Sequence, residues 1–173
     1  MEFINILKTR RAIRKFSDKD VPEKLVREII ELANSSPSAG NVQARAVVLV
    51  KDQEVIEKIR AVSRGLSRFE GKISFILVIL AKPQESEARY EERGKNLYAL
   101  QDATIFAAYL QLLATENGLA SCWVGSFNEL DVEEILDLPE DVRPVAMIPL
   151  GYASEIPEMK ERKPLNEIIL KEV

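Results

Sequence analysis

Residues 73–81 have the sequence ISFILVILA, which is the strongest strand signal in the chain. The segment is short, rich in β-branched side chains and polar only at Ser74. These properties are typical of a strand with both faces buried. We therefore expect residues 73–81 to lie in the middle of a sheet around which the rest of the chain is arranged.

The segments on either side of this strand carry further strand and helix patterns. Additional strands are predicted at residues 46–50, 119–124 and 143–152. Apolar residues at helical spacing predict helices over residues 2–9, after Pro22, after Asp52, after Asp131 and over residues 96–117. Pro22 suits the first position of its helix, and Asp52 can cap the next one. Asp131 and Glu134 are predicted to form a capping box.

The helix over residues 96–117, which Gly118 is expected to end, is apolar or small around much of its circumference. That pattern indicates a helix buried on several sides, such as one at a subunit interface. The charged segment before it, residues 82–95, is expected to be a solvated loop or the start of a helix.

Composition limits the kinds of function that the chain can have. Its 173 residues, 46% hydrophobic and 30% charged, suit one domain over residues 1–173 with a substantial core. The chain contains no histidine and one cysteine, Cys122, which excludes a Ser-His-Asp triad, a Cys-His pair and a zinc cluster built by this chain. No metal site and no catalytic side chain is predicted, so any catalysis is expected to depend on a cofactor.

The sequence also gives an expectation for the cellular location of the protein. No window is long and apolar enough for a transmembrane helix. Glu2 stands where a signal peptide would carry cations, and a lone cysteine fits a reducing compartment. We therefore expect a cytoplasmic protein that does not bind membranes.

Two clusters of cations stand out in a chain whose formal net charge is −4. Residues 9–16, TRRAIRKF, hold four cations, and Ile13 and Phe16 are expected to anchor that segment to the core. Residues 160–163, KERK, hold the second cluster. Because a binder of polyanions is usually basic overall, these local clusters favour a small ligand that carries phosphate.

Two segments lack regular patterns but are informative. Residues 34–43, NSSPSAGNVQ, form a loop dense in small polar and turn-forming residues. Residues 155–173 form an extended tail that carries the apolar run 168–170. That run is expected either to return to the edge of the chain's own sheet or to wrap a partner subunit.

The order of these pieces resembles the nitroreductase family of FMN-dependent oxidoreductases. Four matches carry the resemblance: RRAIRKF at residues 10–16, PSAGNVQ at 37–43, GLASCWVG at 118–125, and the series LPE, PLGY and RKPL within 138–165. Each match is weak alone, but together they keep the family's order over nearly the whole chain. The resemblance implies an α+β fold with a central sheet sandwiched by helices, and an intertwined homodimer with two FMN sites at its interface.

The resemblance also assigns residues to the cofactor. Arg10 and Arg14 would hold the flavin from one subunit, Lys160 and Arg162 would close on its phosphate, and the loop at residues 37–41 would come from the other subunit. The full expected set of cofactor-binding residues is Arg10, Arg11, Ala12, Arg14, Pro37, Ser38, Ala39, Asn41, Lys72, Val124, Gly125, Lys160 and Arg162. Val124 and Gly125 would run beside the isoalloxazine ring, and Lys72 is a second cation, after Arg14, considered for its pyrimidine edge.

The sequence departs from the family at several positions. Ala12 replaces a serine that is frequent in the family, and Ala44-Arg45 replaces a frequent Pro-Trp pair. The chain is also short for the family, and only residues 63–72 and 85–95 remain to cover the flavin. The substrate preference is therefore left open.

The function implied is hydride transfer from NADH or NADPH through flavin N5 to an electron-poor acceptor, such as a nitroaromatic or a quinone, by a ping-pong mechanism. One alternative is a flavin-binding protein for storage or sensing without turnover. A second alternative, nucleic-acid binding through the basic segment, is disfavoured by the acidic chain and by the absence of an interleaved aromatic surface.

Overall fold

The computed structural model describes residues 2–173 of the chain. Its sheet has four strands, which are β1 (Arg45–Val50), β2 (Phe75–Ala81), β3 (Ala120–Ser121) and β4 (Arg143–Gly151). Their order across the sheet is β1-β2-β4-β3, and every neighbouring pair is antiparallel.

Seven α-helices accompany the sheet in the described part of the chain. They are α1 (Phe3–Thr9), α2 (Glu23–Ala33), α3 (Gln53–Val62), α4 (Pro83–Arg93), α5 (Ala99–Glu116), α6 (Glu129–Leu136) and α7 (Leu165–Ile168). Short 3₁₀ turns lie at Ala39–Asn41 and Leu66–Arg68, and a π-helical turn at Gly94–Tyr98 joins α4 to α5.

The prediction for residues 73–81 is confirmed, since β2 is a central strand in which every residue is buried. Alternate side chains of β2 point to opposite faces of the sheet. Leu77 and Ile79 belong to a core shared with α2 and α5, whereas Ile76 and Val78 belong to a core shared with α3 and α6. The two cores explain why β2 has no polar face and why helices cover both sides of the sheet.

Helix α5 is packed closely because its buried side chains include several alanines: Ala99, Ala103, Ala107 and Ala114. These small residues face the core that also contains β2 and β4. The α-helix runs from Ala99 to Glu116, and its buried residues recur every three or four positions, so one face of the helix is buried in the single chain. Thr104, Ala108 and Tyr109 are exposed, so burial on several sides stays a prediction that depends on a partner subunit.

Three local predictions were wrong in detail. The predicted capping box at Asp131 and Glu134 is absent, because α6 begins earlier and the side chain of Asn128 accepts the capping hydrogen bond from the nitrogen of Leu130. The predicted strand at residues 119–124 is reduced to Ala120–Ser121 with a separate bridge at Val124. Pro22 lies just before α2 rather than inside it, whereas the prediction that Asp52 caps α3 is confirmed.

The tail does not return to the chain's own sheet. Residues 154–173 are exposed throughout, and Leu170 keeps 99% of its surface accessible. Within residues 2–173, no helix is both long and apolar enough to cross a membrane. The first of the two expectations for the tail is therefore excluded in the single chain.

Candidate functional site

The arginine-rich segment lies along the β3 edge of the sheet. The backbone nitrogen of Ile13 donates to the carbonyl of Ser121 at 3.1 Å, and Ala12 and Ser121 form a parallel bridge. Ile13 and Phe16 are buried, as the sequence predicts for the anchors of this segment. Because these two side chains point inward, the backbone holds the neighbouring arginines at the surface.

Two cavities open on either side of Arg14. The first, of about 240 Å³, lies between residues 10–14 and residues 157–162. The second, of about 310 Å³, lies between residues 64–69 and residues 122–126. Arg14 lines both cavities, so the two cavities adjoin at this residue. We name them the phosphate cavity and the ring cavity, after the groups that the resemblance to the nitroreductase family would place in them.

Cations without ionic partners surround both cavities. Six such side chains make no ion pair and no side-chain hydrogen bond to any other residue within 2–173: Arg10, Arg14, Arg64, Arg68, Lys160 and Arg162. Other cations of the same segments do have partners, such as Lys15, whose Nζ lies 2.9 Å from a carboxylate oxygen of Glu155. Since unpaired like charges repel one another, this arrangement is suited to an anionic ligand.

Two of the predicted cofactor-binding residues, Arg11 and Lys72, bind other groups of the same chain. The Arg11 guanidinium donates to the carbonyl oxygens of Lys8 and Arg10, at 2.7 and 3.1 Å, so it binds the carbonyl end of α1 although the residue also lines the phosphate cavity. Lys72 lines neither cavity, and its Nζ lies 2.6 Å from a carboxylate oxygen of Asp20. The suggestion that Lys72 lies at a flavin edge is therefore not supported by its position.

The turn that follows β3 forms one wall of the ring cavity. Val124 is buried and exchanges two backbone hydrogen bonds with Met147, at 2.9 and 2.8 Å. Gly125 comes directly after this fixed point and is exposed. A Cβ atom at Gly125 would meet only the indole of Trp123, whose Nε1 would be 3.3 Å away. The turn therefore offers an open stretch of backbone that a flat ring can approach closely.

Cys122 also lines the ring cavity, but it is buried. Burial raises the pKa of the Cys122 thiol, and the charges of Arg14 and Arg10 oppose that effect only in part. A thiol with a raised pKa is a poor nucleophile. This agrees with the interpretation of Cys122 as a core residue, and within residues 2–173 no cluster of Cys, Asp and Glu is suited to a metal ion.

The loop at residues 37–43 does not line either cavity of its own chain. Its tip has left-handed backbone, because Gly40, Asn41 and Gln43 have φ values of 51°, 59° and 58°. Glycine adopts such values freely and asparagine tolerates them, so the strain lies at Gln43. The hydroxyl of Ser38 accepts a hydrogen bond from the nitrogen of Gln43 at 3.0 Å, and Asn41 is exposed. The expected cofactor residues thus fall into two groups that one chain does not bring together.

Two buried charged side chains hold this loop in place. Asp102 of α5 is 1% exposed and accepts hydrogen bonds from the nitrogens of Ala39 and Ala44, at 2.9 and 3.2 Å. Arg45 of β1 donates to the carbonyl oxygens of Asn34, Ser36 and Pro37, at 3.0, 3.0 and 3.3 Å. Burial lowers the pKa of Arg45, and the charge of Asp102 opposes that effect.

Sequence reasoning missed several residues of the site. Arg64, Arg68 and Trp123 line the ring cavity, and none was singled out for binding. The sequence RGLSRF at residues 64–69 could have indicated the two arginines as binding residues, because it places them around the 3₁₀ turn at Leu66–Arg68. Asp102 supports the loop through a hydrogen bond to a residue 63 positions away, which local sequence patterns cannot indicate. Arg45 supports it through contacts with residues up to 11 positions away.

Comparisons with known proteins agree with this geometry. The family model described as the nitroreductase family matches residues 7–73 and 64–152. A Thermus thermophilus protein named NADH dehydrogenase is 28% identical over 188 residues, covering 93% of this chain and 91% of that protein. A Methanothermobacter thermautotrophicus protein, provisionally named NADH dehydrogenase/NAD(P)H nitroreductase, is 28% identical over 166 residues, covering 93% of this chain and 82% of that protein.

The fold has solved counterparts. The crystal structure of a nitroreductase family protein from Clostridium difficile 630 superposes with a TM-score of 0.85 at 28% identity. The match covers 98% of this chain and 97% of that one. The predicted α+β fold class is therefore confirmed.

Proposed function

Because the chain belongs to the nitroreductase family, we propose that it is an FMN-dependent NAD(P)H oxidoreductase. The whole of residues 1–173 would act as one FMN-binding domain, and two copies would form a homodimer. The observation that carries the proposal is the line of unpaired cations along the two cavities that meet at Arg14.

The phosphate cavity fits the terminal phosphate of FMN. Arg10, Arg14, Lys160 and Arg162 line it and have no ionic partners among the described residues, whereas Glu158 is its only acid. Arginine forks donate paired hydrogen bonds to phosphate oxygens, and a dianion would offset the mutual repulsion of these cations. Ala12 can contribute only its backbone, because its methyl side chain forms no hydrogen bond.

The ring cavity, which is lined by three arginines, would accept the flat isoalloxazine ring. Val124 and Gly125 would lie along the isoalloxazine ring, with the exposed backbone of Gly125 allowing a close approach. Arg14 stands where the two cavities meet and would place a positive charge beside the ring. Such a charge stabilises negative charge on a neighbouring group, and we infer that this is the electrostatic role of Arg14.

A second subunit would complete the site. Pro37, Ser38, Ala39 and Asn41 are absent from the cavities of their own chain, so we propose that they reach the ring of the partner's site. Apolar side chains on α1 and along the tail support an interface, since Phe3, Ile4, Leu165 and Ile168 are all more than half exposed. The tail would wrap the partner, which is the expectation that remains open for residues 168–170.

FMN would supply the chemistry, taking a hydride at N5 from NADH or NADPH and passing two electrons to a nitroaromatic, quinone or similar acceptor in a ping-pong sequence. The chain would hold the cofactor, leave one ring face accessible and provide positive charge. No side-chain acid or base is required, in keeping with a sequence that has no histidine. The lone buried cysteine favours a reducing compartment, and we infer a cytoplasmic location.

Turnover tests the proposal against storage or sensing. The purified protein, loaded with FMN, should oxidise NADH or NADPH continuously when a quinone or a nitroaromatic is present. Reduction of the flavin without turnover of any such acceptor would favour the non-catalytic alternative.

A further inference from the structure

The tail is tied to the body of the chain only where it begins. Ala153 forms an antiparallel bridge with Phe16, and the nitrogen of Ser154 donates to the carbonyl of Lys15 at 3.0 Å. One residue later, the Nζ atom of Lys15 lies 2.9 Å from a carboxylate oxygen of Glu155. Within residues 2–173, no hydrogen bond or ion pair joins a residue after Glu155 to one before it. The Lys15–Glu155 pair is therefore the last polar attachment of the tail, and we name it the hinge pair.

The hinge pair stands on a fixed stretch of backbone. The nitrogen of Phe16 donates to the carbonyl of Glu70, and the nitrogen of Glu70 donates to the carbonyl of Arg14, each at 2.9 Å. These two bonds hold the backbone on both sides of Lys15. The hydrogen bond that Lys15 donates to Glu155 raises the pKa of the Lys15 ammonium group, and the charges of Glu155 and Glu70 raise it further. Lys15 is thus held in place as a charged partner for the start of the tail.

The segment that follows the hinge pair lines the phosphate cavity. We name residues 155–162 the strap. Lys160 and Arg162 of the strap line the cavity together with Arg10 and Arg14 of the arginine-rich segment. Every residue of the strap is exposed, and no charged side chain after Glu155 in the strap has an ionic partner in the described part of the chain. Among the polar contacts described, only those at the start of the tail therefore set the direction in which the strap crosses the cavity.

The position of the strap and the binding of phosphate depend on each other. Lys160 and Arg162 can bond to a phosphate only while the strap stays near Arg10 and Arg14. A strap that moves freely lowers the effective concentration of its two cations at the cavity. A bound dianion would attract cations from both walls at once and would hold the strap across the cavity. Each event therefore favours the other, which is a coupling between phosphate binding and the conformation of the tail.

We propose that the hinge pair positions the strap to close on the phosphate of the cofactor, and that this closure orders the tail beyond the strap. The inference rests on the proposed function, since FMN is the ligand whose phosphate would be enclosed. Leu165, Ile168 and Leu170 follow the strap and are each at least 66% exposed. A closed strap would present these apolar side chains to a partner subunit from a fixed starting point. Lys15 and Glu155 are positioning residues, because they act through the strap and not on the flavin itself.

Glu155→Gln separates the hinge pair from a general effect of charge. The variant removes a negative charge two residues before Pro157, which lines the phosphate cavity, so long-range electrostatics alone would tighten FMN binding. Loss of the hinge pair predicts the opposite sign, with FMN bound about two- to fivefold more weakly, as expected for an exposed ion pair. Riboflavin has the same ring and no phosphate, and its affinity should change less than about 1.5-fold. Fluorescence titration of the flavin-free protein measures both affinities.

Two further variants control for the change itself. Glu28→Gln removes the same charge from an exposed pair with Lys24 in α2 that lines neither cavity, and it should leave both affinities unchanged. Lys15→Gln should weaken FMN binding as Glu155→Gln does. The two changes combined should weaken it little more than either one, because both remove the same pair. Losses that add in full would show that Lys15 and Glu155 act separately, and would refute the hinge pair.

Limited digestion with trypsin follows the strap directly. Trypsin cleaves after lysine and arginine, so Lys160 and Arg162 are cleavage sites within the strap. A strap that is closed on phosphate should be cut more slowly. We expect FMN to slow cleavage at these two sites more than riboflavin does, and Glu155→Gln to reduce the protection that FMN gives. Mass spectrometry of the products identifies the sites.

Three further results would overturn the strap. These are unchanged or tighter FMN binding in Glu155→Gln, equal losses of affinity for FMN and riboflavin, and cleavage of the strap that FMN slows no more than riboflavin. A protein that binds neither flavin refutes the proposed function instead. The digestion is then repeated with inorganic phosphate on the flavin-free protein. Protection by phosphate that Glu155→Gln weakens supports the strap, and cleavage that phosphate does not slow refutes it.

Discussion

The carboxylate of Asp102 accepts a hydrogen bond from the backbone nitrogen of Ala39, 63 residues away in sequence, at a distance of 2.9 Å. Its other oxygen accepts from the nitrogen of Ala44 at 3.2 Å. One buried side chain of α5 therefore holds both ends of the strained loop that carries Ser38 and Asn41. Helix α5 thus positions the loop as well as filling the core.

Replacement of Asp102 should weaken both the fold and flavin retention. In Asp102→Asn one buried N–H of the loop loses its acceptor, which costs about 1–3 kcal/mol in the free energy of unfolding. Denaturant unfolding of the flavin-free protein measures that loss. Asp141→Asn removes the same charge from an exposed residue without a side-chain bond among residues 2–173, and should have little effect. Equal stability of the Asp102→Asn protein would show that the loop does not depend on this carboxylate.

Arg10→Ala should lower FMN affinity while the fold persists. Losing a charge-assisted bond to phosphate typically costs ~1.5–3 kcal/mol, or roughly ten- to a hundredfold in affinity. Fluorescence titration of the flavin-free protein with FMN measures the change. Arg27→Ala serves as the control, because Arg27 pairs with Glu23 and lines neither cavity. An unchanged FMN affinity would place Arg10 on an ordinary solvated surface.

The shared site can be tested by mixing two defective chains. One chain carries Arg10→Ala, and the other carries Asn41→Gly, which accepts the φ of 59° at that position. If the two residues serve the same site from different subunits, a mixed dimer has one site with both lesions and one with none. Random mixing makes about half of the dimers mixed, so about a quarter of all sites should be intact.

Mixing must begin from unfolded chains or from co-expression, because intertwined subunits exchange slowly. The measurement is flavin content and turnover of the isolated mixed dimer. Verified mixed dimers that recover neither would mean that Arg10 and Asn41 act in the same subunit's site.

The ion pair between Glu129 of α6 and Arg143 of β4 should make the free energy of unfolding depend on pH in the acid range. Hydrogen bonds from the Arg143 guanidinium, both 2.9 Å long, hold the pKa of Glu129 below its ordinary value of 4.5. A carboxylate with a lowered pKa in the folded state contributes stability above its unfolded pKa, and that contribution is lost as pH falls through the folded value. Both side chains are more than a third exposed, so the contribution should stay below about 1 kcal/mol.

Glu129→Gln should therefore be slightly less stable than the original chain at neutral pH, with the difference vanishing in acid. Urea unfolding at several pH values measures this. A stability difference that stays constant down to low pH would show that charge at Glu129 is not responsible.

Local sequence patterns were sufficient for the central strand and for the anchored arginine segment. Residues 73–81 are apolar on both faces because each face meets a separate helical layer. Ile13 and Phe16 are spaced so that both point inward and leave Arg10 and Arg14 at the surface. At these positions the residue types that the local pattern indicates are also the ones that the packed core requires, so the local pattern was enough for the prediction.

Other features could not be predicted because they depend on distant contacts. Asn128 rather than Asp131 caps α6, because the helix begins at Glu129 and Asp131 already lies in its first turn. Lys72 precedes an apolar strand in sequence, but its ammonium group binds Asp20 across 52 residues. Asp102 accepts a hydrogen bond from Ala39, 63 residues earlier in the sequence, and only the folded chain shows that contact.

The most direct test of the central claim is the absorbance spectrum of the purified protein, recorded without oxygen before and after addition of NADH or NADPH. We expect a yellow protein whose flavin band is bleached by the donor and restored by a quinone, and whose denaturation releases FMN rather than FAD. The phosphate cavity favours FMN, because its unpaired cations Arg10, Lys160 and Arg162 surround a single space of about 240 Å³. A colourless protein that takes up no added FMN would contradict the account.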